Sequence, residues 1–392
     1  LWAVIWGTIA SGGLAISAAT GYAVSEVARF FKVGAAAATG VNMGFSLALV
    51  GAGYLVGLSV GLAMLFGVVI AWGAAVPYLT ALTPAAAGVG FEDHIISVWR
   101  NQVRFIGAGA ISVAAIWTLI KLAGPVVGGV VGAISAARKA SKGGGERTDL
   151  DMSPMSIVAL FVVCLAISGY LLYGFLAATP LASSSVELVL AAIPFLVVGG
   201  FLIAAVCGYM AGLIGASNSP ISGIGIIAIV ASASIFAAIA DPAVNDKPSL
   251  VAFALISTAI VFAIACISNN NLQDLKTGQL VGATPRAQQW ALIIGVIAGA
   301  AVIPPVLNLL ARAFGFAGAP NVDVIAANPL AAPQATLISA LAQGVIGGDL
   351  NWTMLGIGVA LGVGLILLDM AMAALKWVRL PPLAVGIGIY LP

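Results

Sequence analysis

Residues 268–289 read SNNNLQDLKTGQLVGATPRAQQ, and thirteen of these 22 positions are polar or charged. On either side lie long apolar runs, residues 250–267 and 290–310. Each run is about as long as the ~20 apolar residues that cross a bilayer as a helix. A polar island between two such segments is either a loop in water or the lining of a wet cavity, because hydrocarbon satisfies no hydrogen bond. Asn269, Asn270, Asn271, Gln273, Asp274, Lys276, Arg286, Gln288 and Gln289 supply amides and charges that bind carboxylates, amines and peptide groups. They contain no nucleophile–base pair. The segment reads as a solute site or an inner gate, with a plain structural loop as the alternative.

Composition extends that reading to the whole chain. Hydrophobic residues make up 62% and charged residues 7%, against about 25% charged in soluble domains. The fold class is therefore an all-α polytopic membrane protein, a multi-span helical bundle. The 48 glycines suit close helix packing in lipid, where small residues let backbones touch. No basic stripe with aromatics points to nucleic acid. Cys164, Cys207 and Cys266 stand singly in apolar runs, without disulfide or metal spacing. His94 is the sole histidine, which excludes two-histidine metal motifs and disfavours a serine–histidine triad. No nucleotide-binding loop of the GxxxxGK(S/T) kind is present, so ATP-driven transport would need a partner subunit. The lack of a histidine pair, a cysteine site or paired membrane acids argues against an enzyme, and no cofactor or resident metal is expected.

The basic stretch RKASKGGGERTDLDMSP, starting at Arg138, is the plainest linker. Its cations place it in the cytoplasm. It divides the chain into a first bundle (1–136), a linker (137–154) and a second bundle (155–392). Alternation from this anchor puts 268–289 on the inner side and makes 320–351 an outer loop. Residues 126–137 read as an interfacial helix beyond Gly124-Pro125, and Glu26, Arg29 and Lys32 as a short polar link. Leu1 and Pro392 fall inside apolar runs, so further spans are expected beyond both ends.

Three stretches put Gly, Pro, Ser or Asn inside apolar sequence: 42–53 (with Asn42 and Ser46), 215–225 (with Asn218 and Pro220) and 380–388 (with Pro381 and Pro382). Such breaks free backbone groups that survive at membrane depth only beside protein or water, so they mark broken or re-entrant helices along a pathway, or simple kinks. GYLVG at 53–57 recurs as GQLVG at 278–282, each followed by an apolar helix with a proline, and SLALVGAGYL at 46–55 resembles PLAVGIGIYL at 382–391. This suggests an internal repeat of the kind secondary transporters build around a midplane site. Asp369 lies inside an apolar span and is a proton-coupling candidate beside Asp274, or a carboxylate reaching the interface near Lys376. From the residues alone the reading is a secondary transporter, with a passive channel, an intramembrane enzyme and a structural subunit as rivals.

LQDLKTGQLVGATPRAQQ (272–289) resembles the signature of the oligopeptide transporter family, in its bacterial branch related to the yellow stripe-like metal-chelate transporters. Leu275 stands where plant members carry an aromatic. Residues 46–72 and PPLAVGIGIYLP at 381–392 are similar to that family's early and late motifs, although the proline common before the early one is missing. The resemblance implies a duplicated fold and proton-driven symport of short peptides or metal chelates. It also implies a bacterial inner-membrane location; homo-oligomerisation stays open.

Overall fold

The computed structural model describes residues 2–391 except 25, 35, 86–87, 141–146, 215–220, 241–245, 317–329, 331 and 349–350. Along the chain run α1 (Trp2–Ala19), strands β1 (Glu26–Val33) and β2 (Ala37–Gly44), α2 (Leu47–Val56), α3 (Leu58–Val68) and α4 (Val76–Leu82). Next come α5 (Phe91–Val98), α6 (Arg104–Ala140), α7 (Pro154–Ala177), α8 (Ser185–Pro194) and α9 (Gly200–Ile214). The remainder is α10 (Ile221–Ile239), α11 (Lys247–Leu280), α12 (Pro285–Ala313), α13 (Pro333–Gly347), α14 (Trp352–Ala374) and α15 (Pro382–Tyr390). π-Helical stretches at Val69–Ala75, Trp99–Val103 and Phe195–Gly199 join α3 to α4, α5 to α6 and α8 to α9. Among the described residues six rods are long and apolar enough to cross a membrane: Leu58–Leu82, Pro154–Ala177, Pro180–Gly212, Lys247–Val281, Pro285–Ala313 and Trp352–Ala374. The chain forms an integral membrane protein of the all-α class.

Packing groups the chain into two compact units, Leu1–Ala115 with Asn351–Pro392, and Ile116–Leu350. In the first, Val76, Ile95, Val103, Ile106, Val385 and Ile389 form the buried core. Its helices meet backbone to backbone. A Cβ on Gly67 of α3 would overlap the carbonyl oxygen of Val385 and lie 2.9 Å from Gly388 Cα of α15. One on Gly358 of α14 would overlap Ile106 O and lie 2.9 Å from its Cα in α6. These contacts show how the high glycine content is used: dispersion between bare backbones replaces the missing hydrophobic push.

The π-helical turn before α4 has a local cause. Pro77 has no N–H to donate, and the Val76 N–H reaches back five residues to Ala71 O. This frees the Trp72 carbonyl, which accepts from the Thr39 hydroxyl at 2.5 Å. Thr80 completes the junction, accepting from Ala38 N at 2.9 Å. Residues 26–44, read from sequence as a polar link and the start of a span, are thereby corrected to an antiparallel hairpin with Glu26 opposite Gly44.

In the second unit α9, α10 and α11 pack around Cys207, Ile224 and Ala265, and the Phe236 and Phe253 rings meet tilted, with centroids 4.7 Å apart. The outer helices show little burial; α12 has no buried residue, as befits a rod whose solvent is lipid.

Several expectations need correction. The polar island is not a loop: α11 runs on to Leu280 and only Val281–Thr284 turn before α12. Gln and Lys are good helix formers, so polarity alone does not end a helix. Within the expected outer loop, 320–351, lies α13. α6 passes through Gly124-Pro125 without breaking. Asn42 is a strand residue of β2, not a helix break, whereas Ser46 caps α2 by accepting from Leu49 N. Pro381 and Pro382 do start a new helix, as cap and first residue of α15. Asn218 and Pro220 lie outside the described residues. Both G-x-L-V-G motifs end a helix on a glycine with positive φ, Gly57 at 88° and Gly282 at 69°, and both precede a new helix.

Candidate functional site

The second unit holds the segment singled out by sequence, at the hairpin between α11 and α12. Gly282 adopts a left-handed φ of 69° that suits glycine, and Ala283 N donates to Gly278 O at 2.8 Å. Gly278 leaves room for the Gln288 amide, which a Cβ there would overlap. Gln288 Nε2 donates to Asp274 O at 3.0 Å, tying α12 back to α11. A strap from the basic linker crosses the turn. Arg147 donates to Gly282 O at 2.8 Å and Thr284 Oγ1 at 3.2 Å. Arg286 N donates to Leu150 O at 2.9 Å. Gln289 accepts from Met152 N at 2.9 Å and donates to Asp151 Oδ1 at 3.1 Å.

The structure thus brings Gln288, Gln289 and the backbone of Arg286 together, with Arg147 and Asp151 as partners that sequence reasoning missed. It does not bring all nine candidates to one face. Successive helical residues point ~100° apart, and the three asparagines obey that: Asn269 is buried, Asn270 exposed and Asn271 partly buried. The Gln273 carbonyl accepts from Thr277. Lys276 donates to Gln279 at 3.1 Å rather than to Asp274. Asp274 is exposed, and no partner of its carboxylate occurs among the described residues. The Arg286 side chain is exposed as well.

Further up α11 a cavity of about 700 Å³ opens between α11 and α13. Thr258 and Phe262 of α11 and Thr336, Ser339 and Gln343 of α13 line it, with Ala, Leu, Ile and Phe supplying the rest. Among the described residues that line it, none is charged. Thr258 sits at the middle of the apolar run 250–267, and its hydroxyl meets Ser232 Oγ of α10 at 3.0 Å. Sequence reading passed over these residues because single Thr and Ser positions are common in apolar helices. Their signal was the spacing of Thr336, Ser339 and Gln343, three and four residues apart on one helical stripe.

The other candidate, Asp369, belongs to the first unit. It is buried, and it accepts from Arg379 Nε at 2.8 Å, from Arg379 Nη2 and from Leu380 N at 3.1 Å. Its partner is Arg379, not Lys376. The hydrogen bonds and then the charge of Asp369 raise the Arg379 pKa above its ordinary value. Arg104 is buried between aromatic faces, its guanidinium 5.0 Å from the Trp99 ring and 4.5 Å from that of Tyr390, whose hydroxyl it also contacts. It pins α15 to α6. Among the described residues no cluster of His, Cys, Asp and Glu could hold a metal ion.

Among the described residues, six membrane-length rods and glycine-mediated backbone packing define a polytopic α-helical membrane protein. Comparison with known proteins narrows the class. The chain matches the profile of OPT oligopeptide transporter proteins over residues 2–392. It is 45% identical over 365 residues to a Haemophilus influenzae protein provisionally named an oligopeptide transporter, covering 91% of this chain and 58% of that protein. A Saccharomyces cerevisiae protein, provisionally named likewise, is 44% identical over 77 residues, 20% of this chain and 10% of that one. No solved structure matches. The chain belongs to the oligopeptide transporter family, and it spans 58% of the length of its Haemophilus relative.

Proposed function

We propose that the protein carrying this chain is a secondary transporter that moves short oligopeptides across the bacterial inner membrane by alternating access, coupled to protons. The observation that carries this reading is the family match along the whole chain. The cavity at mid-helix, whose described lining residues carry no charge, and the strapped hairpin at the end of the same helix support it. In this reading α11 links the two: solute occupies the chamber, and the α11–α12 hairpin with its strap closes the inner side. The strap rests on hydrogen bonds of about 0.5–1.5 kcal/mol each, a cost that a working cycle can reverse.

Asp274 is the favoured proton carrier. It is exposed and lacks a partner among the described residues, whereas Asp369 would first have to release Arg379 and Leu380 N. Asp274→Asn is expected to abolish accumulation of labelled tripeptide against its gradient, while exchange of peptide across the membrane persists. Exchange needs no net proton movement, so it reports a folded, binding-competent protein. Accumulation at the wild-type level would remove Asp274 from the coupling.

A further inference from the structure

The chamber between α11 and α13 has a hydrogen-bonding inventory that can be counted. Ser232 Oγ donates to Ile229 O at 3.1 Å, so its single proton is committed. In the Ser232–Thr258 pair at 3.0 Å the Thr258 hydroxyl is therefore the donor, and it keeps both lone pairs as acceptors. Thr336 likewise spends its proton on Ala332 O at 2.8 Å and keeps acceptor capacity. Ser339 accepts from Gln343 Nε2 at 3.1 Å, which leaves its own O–H to donate. Gln343 is exposed and retains its carbonyl oxygen and one N–H. The wall thus presents neutral acceptors and neutral donors side by side, the complement of a peptide N–H and C=O. Around them Phe262, Ile338 and alanines form an apolar surface.

A charged side chain against this wall would meet no counter-charge among the described lining residues and would give up part of its hydration, which disfavours it relative to a neutral one. The volume of about 700 Å³ falls within the ~300–1,000 Å³ of small-ligand sites. α13, 15 residues long, is shorter than the ~20 residues of a full span, and half-helices of this kind border solute sites in transporters.

We infer that the α11–α13 chamber is the subsite for an uncharged residue of the transported peptide. Its peptide group bonds to Gln343 and Ser339, its apolar side chain lies against Phe262 and Ile338, and charged termini or side chains stay outside. This rests on the peptide-transport reading and adds to it a location and a selectivity.

The test uses the full-length protein in lipid nanodiscs and measures binding of tripeptides with a central leucine, aspartate or lysine. The leucine peptide is expected to bind about tenfold or more tightly than either charged one. Ala335→Phe, which fills the chamber, and Gln343→Leu, which keeps its size, are each expected to weaken the leucine peptide about tenfold or more, with melting temperatures near wild type. Ala335 is an exposed helical position lining the opening, so the filled variant should fold. Peptides that bind equally whatever their charge, or binding that neither variant weakens, would overturn the subsite while leaving peptide transport standing. If no peptide binds at all, the transport reading falls, and the subsite with it.

Discussion

Gly67→Leu is expected to prevent the first unit from assembling. Gly67 faces Gly388, and a side chain on either meets backbone: Val385 O and Gly388 Cα on one side, Met64 O and Gly67 Cα on the other. Backbone cannot swing aside as a flexible side chain would. α3 and α15 would have to separate, exposing Val385 and Ile389, both at 0% accessibility. Overpacking costs about 1–3 kcal/mol in soluble cores and more where nothing relaxes. Here the upper end applies, because both surfaces are main chain. Gly61→Leu is the control: it lies on the same helix with nothing within 4 Å, and replacing a helical glycine there should be neutral or stabilising by up to ~1 kcal/mol. Thermal melting of detergent-purified protein, read by size exclusion, distinguishes the two. A Gly67→Leu protein that melts with wild type would contradict the α3–α15 packing.

The second large effect is expected at the Asp369–Arg379 pair, and it should be asymmetric. The Asp369 side chain is 6% exposed and that of Arg379 54%. Arg379→Ala strands a buried carboxylate, whereas Asp369→Asn releases a guanidinium that water already reaches. Breaking a buried pair from the exposed side costs about 3–5 kcal/mol when the remaining charge stays uncompensated. The Leu380 N–H still solvates Asp369, so about 3 kcal/mol is expected for Arg379→Ala. Asp369→Asn should cost about 1–2 kcal/mol, since an amide oxygen can still accept from Leu380 N. The double variant should melt higher than Arg379→Ala alone. Equal losses in the two single variants would show that the pair is surface-like and that Asp369 is not held as described.

Much of the architecture was legible because hydropathy is the dominant signal in a membrane chain. The spans beginning near Pro154, Pro285 and Trp352 follow their apolar runs closely. What was hidden had specific causes. The hairpin at Glu26–Gly44 alternates only weakly, since Ala and Gly fill β2 and both faces of β1 are exposed. α13 lay inside a stretch rich in Asn, Pro and Ala whose turn chemistry suggested a loop. The polar island misled in the other direction, because its residues are helix-compatible and its stop signal, Gly282, comes late. Its importance as a place where chain segments converge was readable, but its partners were not. Arg147 and Asp151 reach Gly282, Thr284 and Gln289 across more than 130 positions of sequence. The chamber was least legible: Thr258, Thr336, Ser339 and Gln343 become a group only when α11 and α13 pack.

The central claim, gradient-driven transport of oligopeptides, is tested most directly by uptake into liposomes containing the purified full-length protein. Labelled tripeptides and, in parallel, an iron chelate are offered with an inward proton gradient imposed or absent. Peptide is expected to accumulate above the external concentration only when the gradient is present, and the accumulation to collapse when a proton ionophore is added. Peptide flux that merely equilibrates and ignores the gradient would contradict the account and identify a facilitator or channel instead.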